Sequence, residues 1–176
     1  MKQAVIFGAS DGNDTRKKQL EPPEWYSIVS DGIGRCGALS FNNFSFLALQ
    51  GYKKFLFLCE DEPHQSTVAF MEKNHIGVKK IPFYEGRARL SWRTQMDEVM
   101  KETLEYLLDK SNHPVLITST SSLTLCTVIG CLRRLQGWSL ANIVDEFIRF
   151  SPDQPLSPHM AYVEMFDFDL IQMPTE

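Results

Sequence analysis

The residues with the most chemistry in them form a run of hydroxyls, Thr118-Ser-Thr-Ser-Ser-Leu-Thr124. The run sits between an apolar triplet, Val115-Leu-Ile117, and a largely apolar stretch from Leu125 to Leu135. A strand that feeds a tight polar loop and then a buried helix is a standard way to build an anion cradle. Loop amides converge there, and the helix dipole favours negative charge. The hydroxyls of Ser119, Thr120, Ser121, Ser122 and Thr124 would add donors. None of these groups is by itself an activated nucleophile: a serine hydroxyl is not ionised near neutral pH, and Thr118 beside it is no base.

Several elements are needed to position that loop. Strands are expected at Tyr26–Val29, Ile33–Cys36, Phe55–Cys59, Val78–Phe83 and Val115–Thr118. Phe55-Leu-Phe-Leu-Cys59 and Val115-Leu-Ile117 are apolar throughout, which is what strands covered on both faces require. Helices fit between them at Asn42–Leu49, Ser66–Asn74 and Thr94–Asp109. In the last of these, Met96, Val99, Met100, Thr103, Leu104, Leu107 and Leu108 recur at helical spacing on one face. Further helices are expected at Leu125–Leu135, at Leu140–Phe150 with Ser139 as its cap, and at His159–Leu170. Phe147, Phe150, Tyr162, Phe166 and Phe168 read as core. Strands alternating with helices define an α/β domain with a central, mostly parallel sheet. The expected organisation is an arm over 1–20, one domain over 21–170 and a tail over 171–176.

Bulk properties narrow the function classes. With 176 residues, 43% hydrophobic and 23% charged, the chain is of single-domain size and globular in profile. A net charge of −4 gives no reason to expect nucleic acid. No apolar run approaches the roughly 18 residues of a membrane span, and the start lacks a signal-peptide pattern, so a cytoplasmic protein without a membrane partner is expected. Cys36, Cys59, Cys126 and Cys131 show no CxxC spacing and no clustered histidines, so buried free thiols are expected, with no zinc and no cofactor. The Val5-Ile-Phe-Gly-Ala-Ser-Asp-Gly12 run does not match the dinucleotide fingerprint, and no helical pattern follows it.

A more specific signal lies around the loop. Asn112-His-Pro-Val-Leu-Ile117, Val128-Ile-Gly-Cys-Leu-Arg-Arg-Leu-Gln136, Trp138-Ser-Leu and Asp145-Glu-Phe-Ile-Arg-Phe150 resemble the plant and fungal atypical dual-specificity phosphatases. That group includes inositol-pyrophosphate phosphatases and the oxidant-induced cell-cycle-arrest proteins. Pro22-Pro23, Gly32-Ile-Gly-Arg-Cys-Gly37, Phe44-Ser-Phe-Leu47 and Phe55-Leu-Phe-Leu58 are similar to the opening of the same family. The resemblance implies a cysteine-phosphatase fold over roughly residues 22–169.

It also implies what is missing. Aligned on the family's His-Cys-x5-Arg-Thr-Gly, Ser119 stands at the nucleophilic cysteine, Leu125 at the phosphate-gripping arginine and Ser122 at the loop glycine. No other cysteine has an arginine six residues on: those positions are Asn42, Gln65, Leu132 and Gly137. The family-like general acid has only Glu85 and Asp97 as nearby candidates. The resemblance aligns Arg87, Arg89 and Arg93 with the family's mobile general-acid loop, which makes them candidates to bind an anion in the same cleft, although a solvated basic loop is the plainer expectation. The expectation is a catalytically inactive phosphatase-like protein acting as a binding or regulatory subunit, in a hetero-complex with other phosphatase-like family proteins. Its alternatives are a non-hydrolytic phosphate or inositol-phosphate module and a residual phosphatase.

Overall fold

The computed structural model describes residues 20–83, 92–152, 154 and 157–172. Among them, one sheet is built from β1 (Ser27–Ser30), β2 (Ile33–Cys36), β3 (Lys54–Phe57), β4 (Gly77–Lys80) and β5 (Val115–Thr118), in the order β1-β2-β5-β3-β4. β1 is antiparallel to β2, and every other pairing is parallel. The central strand β5 has all four residues buried, in keeping with its apolar run.

Among the described residues, six α-helices cover the sheet: α1 (Phe44–Gln50), α2 (Gln65–Lys73), α3 (Trp92–Leu108), α4 (Ser122–Leu135), α5 (Leu140–Phe150) and α6 (Ser157–Met165). Side chains alternate along each strand, so the sheet has two cores. Phe55, Phe57, Leu116 and Cys36 meet α1 and α2 through Leu47, Phe70 and Met71. Ile33, Leu56, Leu58, Val115 and Ile117 face the larger core with Met100, Leu104, Leu107, Ile143, Phe147 and Val163. At the middle of this layer runs α4, buried continuously from Thr124 to Arg133. Gly130 lets α6 close against it, since a Cβ there would stand 3.0 Å from Val163 Cγ2.

Three expected elements differ by three residues or more at one end. β4 ends at Lys80 rather than Phe83, although Ile81 and Phe83 remain buried beside it. The last helix stops at Met165, because Asp167 caps a separate short turn over Phe168–Leu170 by accepting from the Asp169 amide at 3.0 Å. The third is α4, which begins at Ser122 and not Leu125. The expected arm over residues 1–20 and tail over 171–176 lie mostly outside the described residues. No described helix is long and apolar enough to cross a membrane.

Candidate functional site

The register of the parallel strands brings the site together. Thr118 pairs with Cys36 on one side and Phe57 on the other, so three strands end level. Ligand sites of open parallel sheets lie beyond such carboxyl ends. The segments leaving the three strands are bonded to one another. Thr118 Oγ1 donates to the Gly37 carbonyl at 2.7 Å, and the Leu58 amide donates to the Thr118 carbonyl at 2.9 Å.

The hydroxyl run does not form the seven-residue loop expected of it. Only Ser119, Thr120 and Ser121 lie between β5 and α4; Ser122, Leu123, Thr124 and Leu125 are helical. The reason is local. Ser121 is an N-cap: its Oγ accepts from the Thr124 amide at 3.2 Å, and its carbonyl accepts from the Leu125 amide at 3.2 Å. Amides that a phosphate cup would aim at its ligand are turned to helix capping instead.

Ser119 is equally occupied. Its Oγ donates to the Leu58 carbonyl at 3.1 Å and accepts from the Ser121 amide at 3.1 Å. The residue is 3% exposed. Thr118 spends its hydroxyl on Gly37, and the Ser119 proton is directed at the Leu58 carbonyl. This hydroxyl ties the end of β3 to the start of α4.

Leu125 is 2% exposed and packs with Trp25, Arg35, Ser122, Cys126 and Phe150 around a crevice too small to admit a water molecule. Ser151 Oγ donates to Ser122 Oγ at 2.5 Å across the same crevice. Arg35 is the functional-looking residue missed at sequence level. It projects from β2 to the face of α4 and α5, is 1% exposed, and lies 3.3 Å from the centroid of the Phe150 ring. Its Nη2 stands 3.0 Å from Glu146 Oε1, an ion pair that lacks hydrogen-bond alignment. Glu146 also accepts from Arg133 Nε at 2.9 Å, and Arg133 Nη1 donates to the Val29 carbonyl at 2.8 Å. Burial pulls the Arg35 guanidinium below its ordinary pKa, and Glu146 opposes this. Burial pushes the Cys126 thiol up, while Arg35 and a hydrogen bond with Ser151 work the other way. The signals for Arg35 were its charge within an otherwise uncharged strand and its place in the family-like Gly32-Ile-Gly-Arg-Cys-Gly37 run.

The remaining candidates are dispersed. Arg87, Arg89 and Glu85 lie outside the described residues, and Arg93 falls in the first turn of α3. Asp97 accepts from the Tyr162 hydroxyl at 2.8 Å and influences Cys131 in the middle of α4. Cys131 lies nine residues into α4, on the order of 13 Å along the axis from its start, so Asp97 is not at the loop. An open cleft of about 140 Å³ does adjoin the loop, on the α2 side, where Ser119 and Thr120 meet Cys59, Asp61, Glu62 and His64. Its carboxylates do not suit an anion. Cys59 is only half-buried, against the expectation that all four thiols would be buried.

A mostly parallel sheet whose central strand passes through a short polar turn into a buried helix defines a phosphatase-like α/β protein. Residues 20–176 match the tyrosine phosphatase family, and the chain belongs to it. It is 34% identical over 148 residues to inositol diphosphatase DSP4 of Arabidopsis thaliana, covering 83% of this chain and 73% of that protein. The OCA1 protein of Debaryomyces hansenii is 31% identical over 164 residues, 90% of this chain and 84% of that one. Among solved structures, the core catalytic domain of the PP-IP phosphatase SIW14 from S. cerevisiae, in complex with citrate, superposes with a TM-score of 0.78. The two share 29% identity over 86% of this chain and 90% of that one. The expected family and fold class both stand.

Proposed function

We propose that this chain is a non-catalytic phosphatase-like protein that works by binding protein, in a complex with catalytically competent relatives of its own family. The observation that carries the reading is the state of Ser119. Its hydroxyl is buried and engaged at both lone pair and proton, while Leu125 fills the arginine position with hydrocarbon. Loss of a preorganised donor to a transferring phosphoryl group costs on the order of 10²–10³ in rate. Loss of the thiolate as well leaves no route to a phosphoenzyme. The names of the relatives describe phosphatases, and that activity belongs to those proteins. Purification of the tagged full-length chain from its native cells tests the binding role. A family relative recovered in stoichiometric amount is expected, and recovery as a lone monomer would contradict it. The expected compartment is the cytoplasm, and recovery in the membrane pellet on fractionation would count against that.

One observation favours a second reading. The first-turn amides of α4, at Ser122 and Leu123, are the orphan donors that any helix N-terminus carries, and relatives are named for inositol phosphates. A thermal-shift series with inositol polyphosphates separates the two: stabilisation at micromolar ligand would favour an anion-binding module.

A further inference from the structure

No residue from Cys36 to Tyr52 is charged, in a chain that is 23% charged overall. Much of that stretch nevertheless lies at the surface. Phe41, in the helical turn Phe41–Asn43 just ahead of α1, is 77% exposed, and Leu49 on α1 is 68% exposed. Between α1 and α2 lies a groove of about 510 Å³ walled by Phe41, Phe44, Ala48, Ala69, Phe70 and Lys73. Phe44 stacks on the core residue Phe70 at 4.5 Å between centroids, and Phe41 meets Phe44 edge-on at 5.8 Å. Aromatic enrichment with depletion of charge is the composition of an interface centre rather than of ordinary surface. The groove is on the same side of the sheet as the cleft beside Ser119, but the two share no lining residue.

The layout of this face fits a second copy of the same chain. The Gly77 amide donates to the Lys53 carbonyl at 2.8 Å, which brings the carboxyl ends of α1 and α2 together at the start of β3 and β4. Lys73 stands at that end of the groove. The other end holds Phe41 and, beside it, the exposed Glu21, whose carbonyl accepts from Asn43 Nδ2 at 3.2 Å. One end thus carries a projecting ring and an acid, and the other an open stretch of groove and a base. We propose that two copies of this chain associate through this face about a two-fold axis. Each Phe41 then enters the Ala48 end of the other copy's groove, and each Glu21 lies near the other copy's Lys73. A two-fold contact makes every such pairing twice. Seating one phenylalanine ring removes about 150–250 Å² of its surface from water. The uncharged centre also lets two chains of net charge −4 meet without repulsion at the point of contact. The helical face from Phe41 to Gln50 is about 15 Å long, so the contact belongs to the small, reversible class, with affinity in the micromolar range.

Sedimentation equilibrium of the purified chain from about 1 to about 300 µM tests this, and a monomer–dimer equilibrium is expected. Phe41→Asp puts a charge at the centre of the contact and should weaken the dimer by at least about tenfold. Circular dichroism of that variant should match the parent, since the ring is largely in solvent. Charge reversal gives the more specific readout. Glu21→Lys alone and Lys73→Glu alone should each weaken association by about threefold or more, because each sets like charges together at both ends of the contact. The double reversal should restore the parent's association constant. A chain that stays monomeric across the range would overturn the proposal. So would a dimer indifferent to Phe41→Asp, or a double reversal no tighter than the single variants. A monomer whose groove is covered only when a family relative is added would overturn it too, and would give the face to that relative. Because the measurement uses the purified chain alone, its failure leaves the hetero-complex reading untouched.

Discussion

Replacing Ser119 by alanine removes one oxygen atom, and the outcome depends on what that oxygen does. In this fold it donates to the Leu58 carbonyl and accepts from the Ser121 amide, each at 3.1 Å, in a residue 3% exposed. Alanine would leave a carbonyl at the end of β3 and an amide at the start of α4 short of a partner, away from water. Unpartnered buried groups cost about 1–3 kcal/mol. A domain of 150–250 residues loses about 2–4 °C of Tm per kcal/mol. Ser119→Ala is therefore expected to lower Tm by roughly 2–12 °C, and to lower the urea midpoint without changing the slope. A poised nucleophile behaves in the opposite way, since sites held ready for chemistry are usually neutral or stabilised when their reactive group is removed. Thermal and urea unfolding of the two proteins, monitored by far-ultraviolet circular dichroism, make the comparison. A Tm unchanged within a degree, or raised, would refute the assignment of this hydroxyl to the scaffold.

Glu146→Ala should be costly, because it leaves the Arg35 guanidinium buried without its counter-charge and removes the carboxylate partner of Arg133. Breaking a buried pair typically costs about 3–5 kcal/mol; a loss under about 1 kcal/mol in urea unfolding would show that Arg35 is not held by this pair. Thiol labelling of the native protein is expected to modify Cys59 rapidly and Cys36, Cys126 and Cys131 only on unfolding, because those three are buried. Burial pushes the Cys36 thiol from its ordinary 9.0 up to about 12. A raised folded value means that the unfolded state releases its proton first, so this stabilisation is complete below pH 9 and is lost as pH rises toward about 12. In the presence of reductant, Tm should fall across that window, and a flat profile would contradict the burial of these thiols.

Much of this arrangement was legible in the residues. Ile33–Cys36, Val115–Thr118 and Leu140–Phe150 form with the expected bounds. Each is bounded by an unambiguous neighbour: Gly32, Pro114 and the Ser139 cap, whose Oγ accepts from the Asn142 amide at 3.3 Å. The start of α4 was harder to place. Serine and threonine compete with the helix for backbone hydrogen bonds and so read as loop, yet one of them, Ser121, caps the helix and draws Ser122 to Thr124 into its first turn. The residue types of the loop were visible, but the bonding of Ser119 was not, because its partners come from just past β3 and from two residues onward. Arg35 stayed obscure for a similar reason: its counter-charge, Glu146, lies on a helix far along the chain, and only the packing of α5 over β2 brings them within 3.0 Å.

The most direct test is turnover. Phosphate release from a generic aryl phosphate and from an inositol pyrophosphate should be measured with the full-length chain, alongside Ser119→Ala. Release by the two proteins is expected to be indistinguishable, because a buried hydroxyl that donates to the Leu58 carbonyl and accepts from the Ser121 amide is not an activated nucleophile. Release by the parent that the substitution abolishes would contradict the account and make Ser119 a nucleophile.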